Sequence, residues 1–310
     1  MAEPTVVPAD VIAPLDMNGL SGRMLYLPAP PNKKRDILFV YGQHSNLERW
    51  WGLLQFANRY GAVTAPDLPG FGGMDSFYKI GKKPTIDNFA DYLAAFVKMR
   101  YKHKKVTIVG MSLGFAIATR MLQRYPELIK HVQMLVSLGG LVHGDDFKFE
   151  PRRFRYYRFI SWLFSFYVPA AMFHYLFLSD FVLRTFYHRT HLAKSKFAAA
   201  SSPEEHKRFM DMEITLWQQE DPRTHAVTTT EMFKLDNCKK RIDLPVWQVN
   251  VAGDQYFDHH RVEQHLRVTF PTVHIMTAQV PYHAPSIIAD EAAAAPMIPP
   301  RLRRALNKLS

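Results

Sequence analysis

The chain has a single cysteine, Cys238, in 310 residues. One thiol excludes an intramolecular disulfide framework and a cysteine-rich zinc site, and it fits a reducing compartment. The opening Met1-Ala-Glu-Pro-Thr-Val-Val-Pro8 has neither a basic start nor an apolar run, so no secretory signal is expected. No internal repeat and no low-complexity tract is present. No His, Cys, Asp or Glu spacing follows a metal-ligand pattern, and no nucleic-acid recognition motif accompanies the basic residues. Neither a metal, a cofactor nor a nucleic-acid partner is therefore expected, and the location expected is cytoplasmic.

Acidic residues are in the minority, 28 against 39 Lys and Arg, which leaves a net charge of +11. The imbalance is local. Lys148 to Lys196 holds nine Lys/Arg and two Asp/Glu. Such a concentration favours an anionic surface or ligand near that segment. With 47% hydrophobic residues, the chain can bury the core of one large α/β domain carrying an insertion.

Short β-branched or apolar runs at Asp36–Val40, Ala62–Ala65, Val106–Val109, Val132–Leu138, Pro245–Val251 and Val273–Thr277 read as buried strands. Helical periodicity lies between them at Leu47–Tyr60, Thr85–Tyr101, Phe115–Tyr125 and Asp258–Phe270, with a further helix from about Ser286. Val11-Ile12 and Arg23–Leu27 suit a hairpin around the Asn18-Gly19 turn signal. Alternating strand and helix predicts a mostly parallel sheet with helices on both faces. The alternation stops after Gly140 and resumes near residue 237. This divides the chain into a core of residues 1–140 and 237–310 and a helical, aromatic insertion of residues 141–236. Arg301–Ser310 reads as a basic surface helix.

Between the Val106–Val109 strand and the helix from Phe115 lies Gly110-Met-Ser112-Leu-Gly114. A turn this sharp brings backbones close together, which favours flanking residues without a Cβ. It lifts the Ser112 hydroxyl clear of the sheet, at the positive end of a helix. An alkyl hydroxyl is a weak nucleophile, so Ser112 needs a base, and imidazole titrates in the right range. Among fourteen histidines, His283 follows the last strand, at the carboxyl edge where open sheets bind ligands. His274 falls within a strand; His259, His260 and His265 fall on a helix and read as surface.

Gly110–Gly114, Tyr41-Gly42, Pro66-Asp67-Leu-Pro-Gly70-Phe-Gly72, Gly253-Asp254 and His283-Ala-Pro together resemble the α/β-hydrolase superfamily. The likeness covers residues 35–140 and 240–295, and the block between them falls where that superfamily carries its cap. The resemblance implies an α/β-hydrolase fold without a cofactor. It implies a catalytic triad of Ser112, Asp254 and His283 and an acyl-enzyme mechanism on a small, hydrophobic ester-like substrate. Relatives often place the acid two residues farther on, where this chain has Tyr256. That leaves Asp258 as the alternative acid, with Asp145 and Asp146 behind it. The oxyanion hole falls to the N–H groups of Leu113 and Gln43, with His44 next. Asp67 is expected to tie down its own loop. A serine at the elbow argues against epoxide or halide chemistry, which in relatives uses Asp there. A binding protein that kept the fold without turnover is the alternative.

Arg152-Arg-Phe-Arg-Tyr-Tyr-Arg158 precedes Phe159–Ser179, 21 residues without Asp, Glu, Lys or Arg. Fourteen of the 41 aromatics lie between Phe154 and Tyr187. A bilayer span is long enough on paper. It would, however, separate Ser112 from Asp254 and His283, and Pro169 and His174 interrupt the run. Two expectations remain. Helices Phe159–Val168 and Ala170–Leu178 would roof the site, with His44, Trp162 and Phe166 lining the pocket. Arg152–Arg158 would also offer peripheral contact with an anionic membrane.

Overall fold

A computed structural model describes residues 7–189 and 202–308. Lys194 and Lys196 of the basic segment, and most of the opening stretch, lie outside the described residues. Eight strands form one sheet: β1 (Ile12–Met17), β2 (Leu20–Leu27), β3 (Arg35–Val40), β4 (Gly61–Pro66), β5 (Val106–Met111), β6 (Val132–Leu138), β7 (Val246–Val251) and β8 (Val273–Ala278). Their spatial order is β1-β2-β4-β3-β5-β6-β7-β8. The β1–β2 and β2–β4 pairs are antiparallel and all others are parallel.

Position in the sheet explains the residue patterns. The middle strands β4 and β5 are buried along almost their whole length, as strands covered on both faces must be. The edge strand β1 alternates exposed and buried. Its hairpin turns at Asn18 and Gly19, both at positive φ (55° and 80°), the conformation that suits a tight hairpin.

Helices follow the expected alternation. Thr85 caps Ile86–Arg100 by accepting the Asn88 N–H. Two expectations shift. The helix expected from Ser286 begins only at Glu291, capped by Asp290. The C-terminal helix Pro300–Lys308 is not merely a surface element: Leu302, Ala305 and Leu306 are buried in the main core.

Between β6 and β7 the chain forms helices Pro151–Phe164, Tyr167–Phe177, Asp180–Arg189, Pro203–Gln219 and Pro222–Phe233. The first break falls at Ser165-Phe166, not at Pro169. Pro169 sits in the opening turn of the second helix, where its missing N–H costs nothing. These helices hold a small core of their own, built from Leu178, Leu183, Tyr187, Phe209, Met210 and Ile214. Among the described residues no single helix is long and apolar enough to cross a membrane. The parallel pairing of β6 with β7 also keeps both flanks of the insertion on one sheet.

Candidate active site

Because β3, β5, β6, β7 and β8 are parallel, their carboxyl ends share one edge. The loops carrying Tyr41–Ser45, Ser112, Gly139, Asp254 and His283 all leave from it. At Ser112 the backbone is strained, with φ 50° and ψ −117°. Its N–H donates to the Leu138 carbonyl at 3.1 Å, anchoring the turn to β6. The flanking glycines are steric necessities. A methyl group at Gly110 would stand 2.5 Å from the Phe115 Cα, and one at Gly114 only 2.1 Å from the Val40 carbonyl oxygen.

His283 and Asp254 meet. His283 Nδ1–H donates to Asp254 Oδ2 at 2.8 Å, and both side chains are buried. The other carboxylate oxygen accepts the N–H groups of Tyr256 and Phe257. Burial pushes the Asp254 pKa up, but His283 and these two amides outweigh it and hold the acid below its usual value. Gly139 packs under the imidazole: a methyl there would lie 3.0 Å from Cε1. Leu138, the residue before it, receives the Ser112 amide. Phe257 and Tyr256 flank the ring at 5.1 and 5.3 Å. Its Nε2 is buried and has no hydrogen-bond partner among the described residues. Ser112 and His283 are thus assembled at one edge, without a hydrogen bond joining them.

The alternative acids lie elsewhere. Asp258 caps the helix His259–Thr269, accepting the N–H groups of His260 and Arg261. Asp145 is exposed, 79% by side chain. Asp146 is fully buried but bonded to His265 Nδ1 at 2.6 Å. His265 is therefore not a free surface histidine; it holds the loop after β6 to the helix after β7. Asp67 lies at the centre of a polar knot, accepting from Tyr41 Oη at 2.8 Å and Arg23 Nε at 2.9 Å. Burial raises its pKa to about 8, against the pull of Arg23 and Tyr41.

The Gly42-Gln43 backbone borders Ser112: a methyl at Gly42 would lie 3.0 Å from Ser112 Cβ and 3.7 Å from Oγ. The Leu113 N–H opens the elbow helix, where first-turn amides have no intrahelical acceptor. The Gln43 side chain turns away and bonds the helix Pro222–Phe233 at the His225 carbonyl and Thr229 Oγ1, both at 2.7 Å.

His44 differs from expectation. At φ 55°, its ring is clamped between two buried carboxylates, Nδ1 to Glu220 Oε2 at 3.0 Å and Nε2 to Glu213 Oε2 at 3.1 Å. Trp217 packs on it at 4.5 Å. Burial pulls the imidazole pKa down, but Glu220 and Glu213 outweigh it and raise it. Glu220, conversely, is held down to about 2 by His44 and His225 against its own burial. His44, Glu220 and His225 bring ligand atoms within 4.8 Å of one another, a donor set a divalent cation could use. His44 bonds both carboxylates and its carbonyl accepts from the buried Arg49, so the cluster latches the core loop to the insertion. Separations of about 170 residues hid it from any sequence spacing.

Trp162 and Phe166 do not roof the site. They stand on the outer surface, 51% and 49% exposed. The helix turns Ser161 inward instead, and Ala170 is the buried residue of the next helix.

The α/β-hydrolase-fold family model matches residues 37–236. Protein ABHD8 of Homo sapiens is 31% identical over 105 residues, 34% of this chain and 23% of that protein. The chain thus matches about a quarter of that relative's length. A hydrolase from Oleispira antarctica superposes with a TM-score of 0.63 at 14% identity, covering 91% of this chain and 93% of that one. A thermophilic esterase from Thermogutta terrifontis gives 0.59 at 15%, covering 96% and 98%. The strained elbow, the sheet order and the family match lead to one conclusion: this chain belongs to the α/β-hydrolase family.

Proposed function

We propose that the protein is a serine hydrolase that cleaves an ester-like bond through an acyl-enzyme. The observation that carries this reading is the buried Asp254–His283 pair, whose Nε2 has no partner among the described residues, at the same sheet edge as the strained Ser112 turn. Asp254 fixes the tautomer with the proton on Nδ1, which leaves the Nε2 lone pair to accept the Ser112 proton as Oγ attacks the carbonyl. The Leu113 and Gln43 N–H groups stabilise the oxyanion. His283 then returns the proton to the leaving alcohol, and water releases the acyl group by the same path.

The test is covalent labelling by a fluorophosphonate together with turnover of a short aryl ester. Wild type should label and turn over; Ser112→Ala should do neither while keeping its near-UV circular dichroism. A folded wild-type protein that neither labels nor hydrolyses a panel of such esters would leave a non-catalytic binding protein.

A further inference from the structure

We propose that the outer face of the helical insertion docks on an anionic lipid bilayer and draws its ester substrate from it. The binding half stands on its own; the substrate half rests on the hydrolase reading above.

Helices Pro151–Phe164 and Tyr167–Phe177 meet at 94°. They expose what soluble helices bury. Tyr175 is 81% exposed, Phe159, Trp162, Phe166 and Tyr167 are exposed with it, and Phe181 of the next helix is 78% exposed. Arg152, Arg155, Phe159 and Trp162 recur at steps of three and four within one helix, so they share one stripe, and Phe166 at the break packs against its end. The Phe159, Trp162 and Phe166 rings touch in sequence at 5.9 and 5.1 Å. One end of the stripe is therefore cationic and the other aromatic. Arg152, Arg153, Arg155 and Arg158 make no ion pair among the described residues, and no Asp or Glu lies between 151 and 179. An unneutralised arginine cluster beside Trp, Tyr and Phe complements phosphate headgroups above an acyl boundary. Because β6 and β7 are neighbours, the insertion leaves and returns on one side, as an element docked in the interface requires.

The same face opens into a cavity of about 240 Å³ lined by Arg158, Phe159, Trp162, Thr230, Phe233 and Lys234. From its wall, ring contacts run inward: Phe233 to Phe147 at 5.0 Å, Phe147 to Phe257 at 5.0 Å, and Phe257 to His283 at 5.1 Å. These packed rings join the cavity wall to the catalytic base and make the ground between them apolar.

The experiment is co-sedimentation of the full chain with phosphatidylcholine–phosphatidylserine vesicles and with phosphatidylcholine vesicles, at low and high salt. Binding should require phosphatidylserine and fall with salt. R152Q/R153Q/R155Q/R158Q should weaken it roughly fivefold per arginine, several-hundredfold together. Tyr175→Ser with Phe181→Ser should weaken binding to the phosphatidylserine-containing vesicles with unchanged near-UV dichroism. R152Q/R153Q/R155Q, which spares the cavity-lining Arg158, should keep wild-type turnover of a short soluble ester and lose turnover of a vesicle-embedded long-chain ester. Absence of vesicle binding, or binding indifferent to the arginines, overturns docking; self-association through the aromatic face without vesicle binding assigns the face to a second copy. Vesicle binding with no turnover of either ester retains docking and rejects the hydrolase reading.

Discussion

Asp254→Asn separates the proposed acid from its neighbour Asp258 and puts a number on the difference. An Asn at 254 keeps an oxygen for the Tyr256 and Phe257 amides, now 2.8 and 3.1 Å from Oδ1. It places an NH2 group opposite His283 Nδ1, where the carboxylate accepts at 2.8 Å. The imidazole must then carry its proton on Nε2 and can no longer accept one from Ser112. In a Ser-His-Asp system this tautomer reversal costs about 10⁴ in kcat, or about 5.5 kcal/mol at 1.36 kcal/mol per decade. The stability cost is smaller, one charge-assisted hydrogen bond of about 1.5–3 kcal/mol. Asp258→Ala removes a helix cap instead, costing about 1 kcal/mol of stability and leaving kcat unchanged. The assay is steady-state hydrolysis of a short aryl ester alongside urea unfolding. If Asp254→Asn keeps kcat within about tenfold of wild type, or Asp258→Ala loses more rate than it does, the assignment of the acid is wrong.

Three further outcomes are expected. Gly114→Ala drives a methyl to 2.1 Å from the Val40 carbonyl and 2.5 Å from that of Tyr41, so the elbow must shift; urea unfolding should show a loss of about 3 kcal/mol or more, and an unaltered midpoint would contradict the packing. Leu302→Ala should cost about 2–5 kcal/mol by enlarging the void beside Ile37, Leu54 and Ile298, measured by thermal unfolding; a loss below about 1 kcal/mol would show the C-terminal helix to be loosely docked. The latch should make stability peak in mildly acidic solution. Glu220, with its pKa depressed to about 2, contributes above the usual glutamate range and is lost as pH falls through about 2. His44, with its pKa raised, contributes fully below about 6.5 and is lost as pH climbs through its folded value. Glu213→Gln should flatten the alkaline limb of urea midpoints plotted against pH, and a limb of unchanged slope would remove His44 from that role.

The sequence alone determined the sheet and the elbow. Strand and helix periodicities are local, set by which side chains share a face within a few residues, so β3 to β8 could be read directly. Gly110 and Gly114 were legible because the turn tolerates no Cβ whatever surrounds it. The sheet edge bearing His283 followed from strand polarity. Only the tertiary structure decided which aspartate faces His283, because the course of the loop after β7 depends on its packing against the loop after β8. It also decided the fate of His44, whose glutamate partners come from a helix and its C-cap about 170 residues away. The rings of Trp162 and Phe166 were unreadable for a plainer reason. A segment apolar all round has no periodicity to say which side is inside, and only contact with the rest of the fold turned Ser161 and Ala170 inward and the aromatics out.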